Sequence, residues 1–349
     1  MKLPVPTDPS SADNPKRMSS RKPALLTNHR VFSPARSMAS SDRRRMLADA
    51  KAAWLLKSPS VDTRCNYDRD LSQFFAFIRV PNHHLEHLAF VRPAHVAAWR
   101  DQLRADGMSN ATIRRKMTAL RSLFSYLQTY GYTGANPAHG DFVDAPSVAR
   151  DGKTVALSPE QCRRLLDAPD AATPVGVRDR ALFAVLAYTG CRVGELTKLK
   201  VASYKTTGGH KVLEIYGKGG KERRVPLHPE AFERLDHWLD VSALREQPDR
   251  PLFPPQRTAR GQGKDGFTLK AMSRRAVQQL VERFVRRLHL DPAVTVHSMR
   301  VTAITTARER GSEIIDLQDF AGHADPRTTL TYIRNRDRLS KSPAYVLRY

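Results

Sequence analysis

The chain has 349 residues, and its 58 Lys and Arg against 35 Asp and Glu give a formal net charge of +23. This balance favours a polyanionic partner, DNA or RNA. No apolar run approaches the roughly 18 residues of a membrane span, so no membrane association is predicted. Cys65, Cys162 and Cys191 are far apart and form no CxxC pair, so neither a disulfide framework nor a structural zinc site is indicated. We expect a reducing, cytoplasmic compartment.

The first 45 residues differ from the rest of the chain. They contain ten Lys and Arg against three Asp, are rich in Ser and Pro, and show no apolar periodicity. Such a segment cannot bury enough apolar surface to offset the entropy of ordering it. The composition predicts a disordered basic arm over residues 1–45.

Residues 46–137 carry apolar side chains at helical spacing. The stripes are formed by Tyr67, Leu71, Phe74, Phe75 and Ile78, by Val96, Trp99 and Leu103, and by Ile113, Met117, Leu120, Phe124 and Leu127. Ser109 or Asn110 is placed to cap the last helix by accepting backbone N–H bonds, and Gly131 to end it. The pattern predicts a domain of four amphipathic helices.

The last of these helices also carries four basic residues, which are predicted to fall away from the apolar stripe. They are Arg114, Arg115, Lys116 and Arg121. Cations on an exposed helix face can contact DNA phosphates. An ordinary solvated face explains the same residues equally well.

Residues 138–154 contain Pro, Gly and Asp without a period and are predicted to be a linker between domains. A helix then begins at Pro159, with Ser158 as its cap. Residues 211–227 alternate as a strand, break at a Lys/Gly-rich turn and alternate again, which predicts a β-hairpin. Further helical stripes follow to residue 321. The fold class predicted for the chain is mainly α with a small antiparallel β-sheet.

Two motifs place arginines where they could grip an anion. In TGCRVGEL, Arg192 begins a short helix and Glu195 follows one turn later, able to orient the guanidinium for bidentate bonds to phosphate. In HSMR, His297 and Arg300 are three apart, which on a helix puts both on one face. In isolation, a structural salt bridge explains the first motif, and a satisfied histidine beside a surface arginine explains the second.

Two further motifs supply a lysine and a phenol. GKGGKER puts Lys218 and Lys221 in or beside the hairpin turn, although the glycines also suit a plain tight turn and the spacing is not that of a Walker A loop. In AGHADPRTTLTY, Gly322 can end a helix in a left-handed conformation, with His323 at its edge and Tyr332 about two turns into the next. A phenol has a pKa of about 10 and becomes a useful nucleophile when cations stabilise its oxyanion or a base takes its proton.

The ordered set TGCRVGEL, GKGGKERRVPL, HSMR, AGH and TTLTY resembles the tyrosine recombinases, also called the phage-integrase or Xer-type family. The resemblance covers residues 155–335 as the catalytic domain. Residues 46–137 are similar to the family's helical core-binding, SAM-like domain. The resemblance implies that an all-helical domain and an α+β catalytic domain form a C-shaped clamp on DNA.

The resemblance also implies a role for each matching residue. Arg192, His297 and Arg300 would grip the scissile phosphate with help from His323, and Glu195 would support Arg192. Tyr332 would be the nucleophile that forms a 3′-phosphotyrosyl link. The general acid would be Lys218, with Lys221 as the alternative. Fixed cations of this kind stabilise phosphoryl charge, so no metal, other cofactor or ATP is expected.

The expected function is site-specific DNA recombination at inverted half-sites, with a dimer on each site, a tetramer in the synapse, accessory proteins as further partners and a nucleoid-associated location. The alternatives are a type IB-like topoisomerase or hairpin resolvase, which would use the same pocket, and a catalytically silent DNA-binding protein.

Val301 stands where many relatives carry a second histidine, which we expect to mark a subgroup. Residues 336–349 are expected to form a tail that docks on a neighbouring protomer.

Overall fold

The computed structural model describes residues 40–81, 85–148, 154–217, 220–256, 266–333 and 345. Across these ranges the chain is mostly helical with one small antiparallel sheet, which confirms the predicted fold class. The chain divides into two compact units between Val148 and Ala149. None of the helices in the described ranges is both long and apolar enough to cross a lipid bilayer.

Within its described residues, the regular secondary structure of the first unit is entirely helical. Its elements are α1 (Ser40–Leu56), α2 (Val61–Phe77), a 3-10 helix (Leu85–Phe90), α3 (Pro93–Ala105) and α4 (Asn110–Thr129). The Ser109 hydroxyl accepts a hydrogen bond from Thr112 N at 3.3 Å, so Ser109 is the cap of α4. Gly131, at φ +74°, follows the end of that helix in the left-handed region.

The predicted apolar stripes form the core of this unit. Phe74 and Phe75 on α2, Trp99 on α3 and Phe124 on α4 are all buried. Trp99 meets Phe74 edge-on, with ring centroids 5.1 Å apart, a geometry that the ring quadrupoles favour. These apolar side chains therefore pack the other three helices against α4.

The disordered arm was predicted to end at residue 45, and this boundary is wrong because α1 begins at Ser40. Asp42 lies in the first turn of α1, where the helix dipole favours an acidic side chain. Arg44 donates from Nε and Nη2 to Glu86 Oε1, at 3.1 and 2.9 Å. Part of the supposed arm is therefore helix anchored to the unit. The rest of the predicted arm, residues 1–39, lies outside the described residues.

The predicted linker, residues 138–154, also begins too early. Ala138 and Val143 are buried in the core of the first unit. Arg121 donates to both backbone carbonyls, from Nε to Ala138 O at 2.8 Å and from Nη2 to Val143 O at 3.2 Å. Asn136 ties the same segment to α4 by donating to Arg121 O at 3.0 Å. Residues 138–143 therefore belong to the first unit, and they lack a period because hydrogen bonds to their backbone carbonyls hold them. Residues 149–153 of the predicted linker lie outside the described residues.

The prediction that Lys116 faces outward is wrong. Ile113, Lys116 and Leu120 follow the i, i+3, i+7 spacing of a single face, so Lys116 lies on the apolar stripe. Its ammonium is buried and pairs with the buried carboxylate of Asp70 at 3.2 Å, while Gln73 accepts a second hydrogen bond.

The other three basic residues of α4 differ in their surroundings. Arg115 is half-exposed and pairs with Asp70, Arg121 is engaged by the backbone of the following segment, and the side chain of Arg114 is exposed. Of the four basic residues, Arg114 and Arg115 are exposed, Arg121 is partly buried and Lys116 is buried.

The described residues of the second unit contain eight α-helices and one sheet. The helices are α5 (Pro159–Asp167), α6 (Pro174–Thr189), α7 (Val193–Leu196), α8 (Pro229–Val241), α9 (Arg274–Arg287), α10 (Val296–Glu309), α11 (Ile314–Ala321) and α12 (Pro326–Ile333). The strands are β1 (Tyr204–Thr207), β2 (His210–Tyr216) and β3 (Glu222–Pro226), in that order across an antiparallel sheet. Ser158 caps α5 as predicted.

Helix α6 runs through the centre of the second unit and is buried on nearly all sides. Phe183 on α6 meets Phe284 on α9 edge-on at 5.5 Å, and Trp238 on α8 is fully buried with its indole N–H donating to Leu252 O at 2.8 Å. Packing of α8, α9 and α10 around this apolar helix fixes where α6 ends. That end, at Thr189, is where the candidate site begins.

The predicted hairpin is confirmed as β2 and β3. Leu213 pairs with Val225 and Ile215 pairs with Arg223, so these four residues share the inner face of the sheet. Gly217 N donates to Lys221 O at 2.7 Å and closes the base of the turn. The edge strand β1 was not predicted, because its side chains are mostly exposed and carry no apolar alternation.

The buried pair in the first unit gives a stability prediction. Asp70→Asn leaves the Lys116 ammonium buried without a counter-charge, and we expect a loss of about 3 kcal/mol in the free energy of unfolding. Urea denaturation of the full chain, followed by tryptophan fluorescence, measures it, since Trp54 and Trp99 both lie in this unit. Asp68→Asn is the control: its carboxylate is 49% exposed and pairs with Lys51, so a loss below about 1 kcal/mol is expected. Equal small losses in both variants would contradict the role assigned to the buried pair.

Candidate active site

The first arginine of the site is set by the end of α6. Gly190 ends the helix in the left-handed conformation, at φ +56°, and the chain turns into α7 with Arg192 as its N-cap. Glu195 accepts two hydrogen bonds from Arg192, one from the backbone N and one from Nη1, both at 2.9 Å. The Arg192 side chain is 43% exposed and that of Glu195 only 6%. The predicted pair thus forms, with the carboxylate inside and the guanidinium at the surface.

The carboxylate of Glu195 is held in its ionised form. Burial by itself would raise its pKa, but hydrogen bonds from Arg223 and from Arg192 outweigh burial and lower the pKa below its ordinary value. A permanently charged carboxylate can orient the guanidinium of Arg192 at any physiological pH.

Arg300 lies on α10 and is the most enclosed cation of the site, with 2% of its surface exposed. Its Nη1 donates to Gly190 O, and its Nη2 donates to Ala321 O at 2.6 Å. Both acceptors are carbonyls at helix ends, where the last C=O groups lack helical partners. Burial, and then the positive charge of Arg192, lower the pKa of Arg300. The ends of α6 and α11 therefore fix this guanidinium from two sides.

His323 follows the predicted left-handed end of α11 at Gly322, whose φ is +59°. Its Nε2 lies 2.7 Å from Arg300 Nη2, and its Nδ1 lies 2.9 Å from Thr329 Oγ1. A guanidinium can only donate, so Nε2 is the acceptor and the proton of the neutral ring is on Nδ1. Burial and the charges of Arg300 and Arg192 lower the pKa of His323 to about 4. The imidazole is neutral at pH 7.

Tyr332 lies near the end of α12, one turn after Thr329. Its ring stacks on that of His323, with centroids 5.4 Å apart and planes 17° apart. Its hydroxyl lies 3.4 Å from His297 Nε2 on α10. His297 keeps part of its surface open to solvent, yet partial desolvation and the charges of Arg300 and Arg192 lower its pKa below 6.5. A neutral imidazole thus stands within reach of the phenol.

The structure brings together six of the predicted site residues, although they come from four separate stretches of the chain. They are Arg192, Glu195, His297, Arg300, His323 and Tyr332. Arg192 joins the group through its guanidinium, whose two terminal nitrogens lie 3.5 Å from Gly322 O. Two cations and two neutral imidazoles around one phenol make a site for an anion.

The two lysines of the hairpin turn differ in what the structure describes. Lys218 lies outside the described residues. Lys221 is exposed just before β3, and its carbonyl closes the turn.

Arg223 is a site residue that the sequence reading missed. Its Nη2 donates to Glu195 Oε2 at 2.8 Å, and its Nε donates to Phe320 O at 3.2 Å. The alternation of side chains along β3 could have identified Arg223. Arg223 lies two residues before the buried Val225 and therefore on the inner face of β3, where an arginine needs buried partners.

Two family profiles match the chain. The phage integrase family profile matches residues 156–338, and the profile of the phage integrase N-terminal SAM-like domain matches residues 38–131. The chain belongs to the phage integrase family. It is a tyrosine-type site-specific recombinase, as the sequence motifs predicted.

Curated relatives of this recombinase resemble it over most of their length. It is 31% identical over 287 residues to tyrosine recombinase XerC of Pelobacter propionicus, covering 80% of this chain and 87% of that protein. It is 28% identical over 273 residues to tyrosine recombinase XerD of Listeria monocytogenes, covering 78% of this chain and 88% of that protein.

Solved structures share the fold of the recombinase at lower identity. XerH recombinase bound to its palindromic difH substrate is 21% identical, with a TM-score of 0.63 over 86% of this chain and 83% of that one. A lambda integrase dimer bound to a COC′ core site is 17% identical, also with a TM-score of 0.63, over 84% of this chain and 77% of that one.

Val301 of the recombinase is buried on α10 and lines a cleft beside the phenol. His297, Thr305, Arg327 and Tyr332 line the same cleft. The position makes no hydrogen bond to the residues around the phenol, so a valine there leaves the cluster intact. Across the described parts of the recombinase, His, Cys, Asp and Glu side chains form no group of three or more that could hold a metal ion.

The low pKa of His323 gives a pH prediction for stability. Between pH 6.5 and about 4 the unfolded chain takes up a proton on this ring that the folded recombinase does not, so stability falls as pH falls through this window. His323→Gln removes the titrating ring and keeps an acceptor for Arg300. We expect its unfolding temperature, measured by calorimetry at steps from pH 7 to pH 4.5, to fall less than that of the wild type. Parallel decreases would show that His323 is not the group responsible.

Proposed function

We propose that this recombinase cuts and rejoins duplex DNA through a covalent bond between Tyr332 and a 3′-phosphate. The observation that carries the proposal is the position of the phenol. Its hydroxyl lies 3.4 Å from His297 Nε2, and its ring stacks on an imidazole that is bonded to the buried guanidinium of Arg300. Structural packing alone does not require a phenol between a neutral base and two cations.

Arg192 and Arg300 are proposed to bind the nonbridging oxygens of the scissile phosphate, with His323 beside them. Guanidinium groups offer paired donors that match phosphate oxygens. Both arginines are held in place before substrate arrives, Arg192 by Glu195 and Arg300 by carbonyls at helix ends. Donors that need no rearrangement stabilise developing charge most effectively.

In the proposed cleavage step, one bond to phosphorus forms as another breaks. The bond from Tyr332 Oη to phosphorus forms, and the bond from phosphorus to the 5′ oxygen breaks. The phenolic proton passes to His297 Nε2, and the departing 5′ oxygen takes a proton from Lys218, or alternatively from Lys221. Because the phosphodiester is conserved in the tyrosyl link, a 5′-hydroxyl from another strand can reverse the step without ATP.

Duplex DNA as substrate fits the formal net charge of +23 and the fold shared with recombinases crystallised on DNA. We further propose that both units contact the duplex, that a dimer occupies inverted half-sites and that four protomers form the synapse. The tail proposed to dock on a neighbour, residues 336–349, lies outside the described residues apart from the exposed Tyr345.

A covalent-trapping experiment tests the nucleophile. The binding site is first selected from randomised duplexes, and a duplex nicked near the cleavage point then traps the adduct as a band that resists denaturation. We expect wild type to form the adduct in the presence of a metal chelator, because the arginines supply the positive charge. Tyr332→Phe should reduce the adduct at least about 1,000-fold while leaving DNA affinity within about threefold.

Tyr130→Phe is the matched control for this experiment. Tyr130 is 60% exposed at the end of α4, and its loss should leave the adduct unchanged. An adduct that survives in Tyr332→Phe would place the nucleophile on another tyrosine, with Tyr345 the next to examine.

The pH dependence of cleavage tests the base. His297 must be neutral to accept the phenolic proton, and its pKa lies below 6.5. We therefore expect the apparent second-order rate constant of adduct formation, measured below saturation so that it reports the free protein, to stay nearly level as pH falls from 8 to 6.5 and to drop only below that. His297→Gln should cleave about 100-fold more slowly and lose this acid limb. An acid limb centred above pH 6.5 would argue against His297 as the base.

A further inference from the structure

Arg223 connects three elements that adjoin proposed catalytic residues: Lys221 precedes β3, Arg192 caps α7 and His323 follows α11. Arg223 belongs to β3, its Nη2 donates to Glu195 on α7, and its Nε donates to Phe320 O at the end of α11. Its side chain is 12% exposed, so both bonds are largely shielded from water. A planar guanidinium can hold two such acceptors in a fixed relation, which a more flexible ammonium cannot.

The same guanidinium lies against two glycines at turning points of the chain. A Cβ atom placed on Gly322 would come within 2.9 Å of Arg223 Nη1. A Cβ placed on Gly217, the residue that opens the hairpin turn, would lie 3.6 Å from Glu195 Oε1 and 3.9 Å from Arg223 Nη1. The base of the turn that contains Lys218 therefore abuts the Glu195–Arg223 pair.

Loss of Arg223 should leave the contacts of Arg192 and Arg300 in place but remove contacts that hold the hairpin. Glu195 would still accept two hydrogen bonds from Arg192, both at 2.9 Å, and Arg300 would keep its carbonyl acceptors. The hairpin would lose both bonds that this residue makes to α7 and α11. The phosphate-binding arginines should therefore stay in place while the hairpin turn shifts.

We propose that Arg223 is a positioning residue that holds strands β2 (His210–Tyr216) and β3 (Glu222–Pro226) against α7 and α11, so that a lysine of the turn between them can protonate the departing 5′ oxygen. The inference rests on the proposed function, because it assumes that cleavage needs an acid from this turn. It assigns Arg223 to departure of the leaving group and not to phosphate binding.

The test compares two leaving groups. One nicked duplex carries the ordinary 5′ oxygen at the scissile phosphate, and the other carries sulfur at that bridging position. A thiol has a pKa of about 8.5, against about 15.7 for water, so a thiolate leaves without a proton. We expect Arg223→Gln to slow cleavage of the oxygen duplex about 100-fold and of the sulfur duplex less than about threefold. Equal slowing of both duplexes, or no slowing of either, would overturn the proposal.

Two variants sharpen this comparison. Arg224→Gln is the matched control, since Arg224 is the next residue of β3, points to the outer face, is 59% exposed and pairs with Glu214 at 3.2 Å. It removes the same charge and should cleave both duplexes within about threefold of wild type. Arg223→Lys keeps the charge and can bond Glu195 or Phe320 O but not both at once, so it should give intermediate slowing on the oxygen duplex alone.

Hydrogen exchange of the full chain gives a readout that does not depend on catalysis. Amides of β2 and β3 should exchange faster in Arg223→Gln than in wild type and Arg224→Gln, and unchanged exchange would overturn the proposal. If wild type forms no adduct on either duplex, the proposed function fails. Exchange then still decides whether Arg223 holds the hairpin.

Discussion

The candidate site depends on a guanidinium that is buried without a carboxylate of its own. Arg300 is held by the carbonyls of Gly190 and Ala321, which are dipoles and not charges. Among the described residues in hydrogen-bond contact with Arg192, Arg223 or Arg300, Glu195 supplies the negative charge, and it bonds to the first two. Three cations therefore share one anion in a partly desolvated pocket. Burying charge in this way costs free energy that a bound phosphate would offset.

The ends of two helices supply the carbonyl groups that stabilise the buried guanidinium of Arg300. Helices α6 and α11 both stop at glycines in the left-handed region, so their last carbonyls are free to turn toward Arg300. At Gly322 the space is also limited, because a Cβ there would come within 2.9 Å of Arg223 Nη1 and the guanidinium would have to shift. The apolar α6 fixes one of these ends deep in the core. The arrangement of the cations thus follows from where two helices end.

The sequence was informative where local rules decide the structure. Ser158 as a cap and Gly322 as a helix end follow from rules of a few residues, and the spacing of His297 and Arg300 follows from one helical turn. It was misleading where a charge lies on an apolar face. Lys116 belongs to the buried stripe of α4 because Asp70, on another helix, neutralises it.

The sequence could not supply the hydrogen-bond partners that are distant in the chain and become neighbours only in the fold. Arg223 and Glu195 are 28 residues apart. His323 forms hydrogen bonds to both Arg300 and Thr329 only because α11 and α12 pack together. The alternation along β3 could predict that Arg223 lies on the inner face, but no local sequence pattern predicts which groups accept its hydrogen bonds. The roles of single residues in an anion site therefore depend on contacts that only the folded chain brings together.

The two neutral histidines follow from the same surplus of positive charge. His297 and His323 each have a pKa lowered by burial and by Arg300 and Arg192. A phosphate bound between those arginines would bring negative charge to the same pocket and raise both pKa values toward ordinary ones. Substrate binding would thus make His297 a better proton acceptor at the moment when the phenol beside it must lose its proton. On the proposed mechanism, the surplus positive charge around Arg192 and Arg300 would couple phosphate binding to activation of Tyr332.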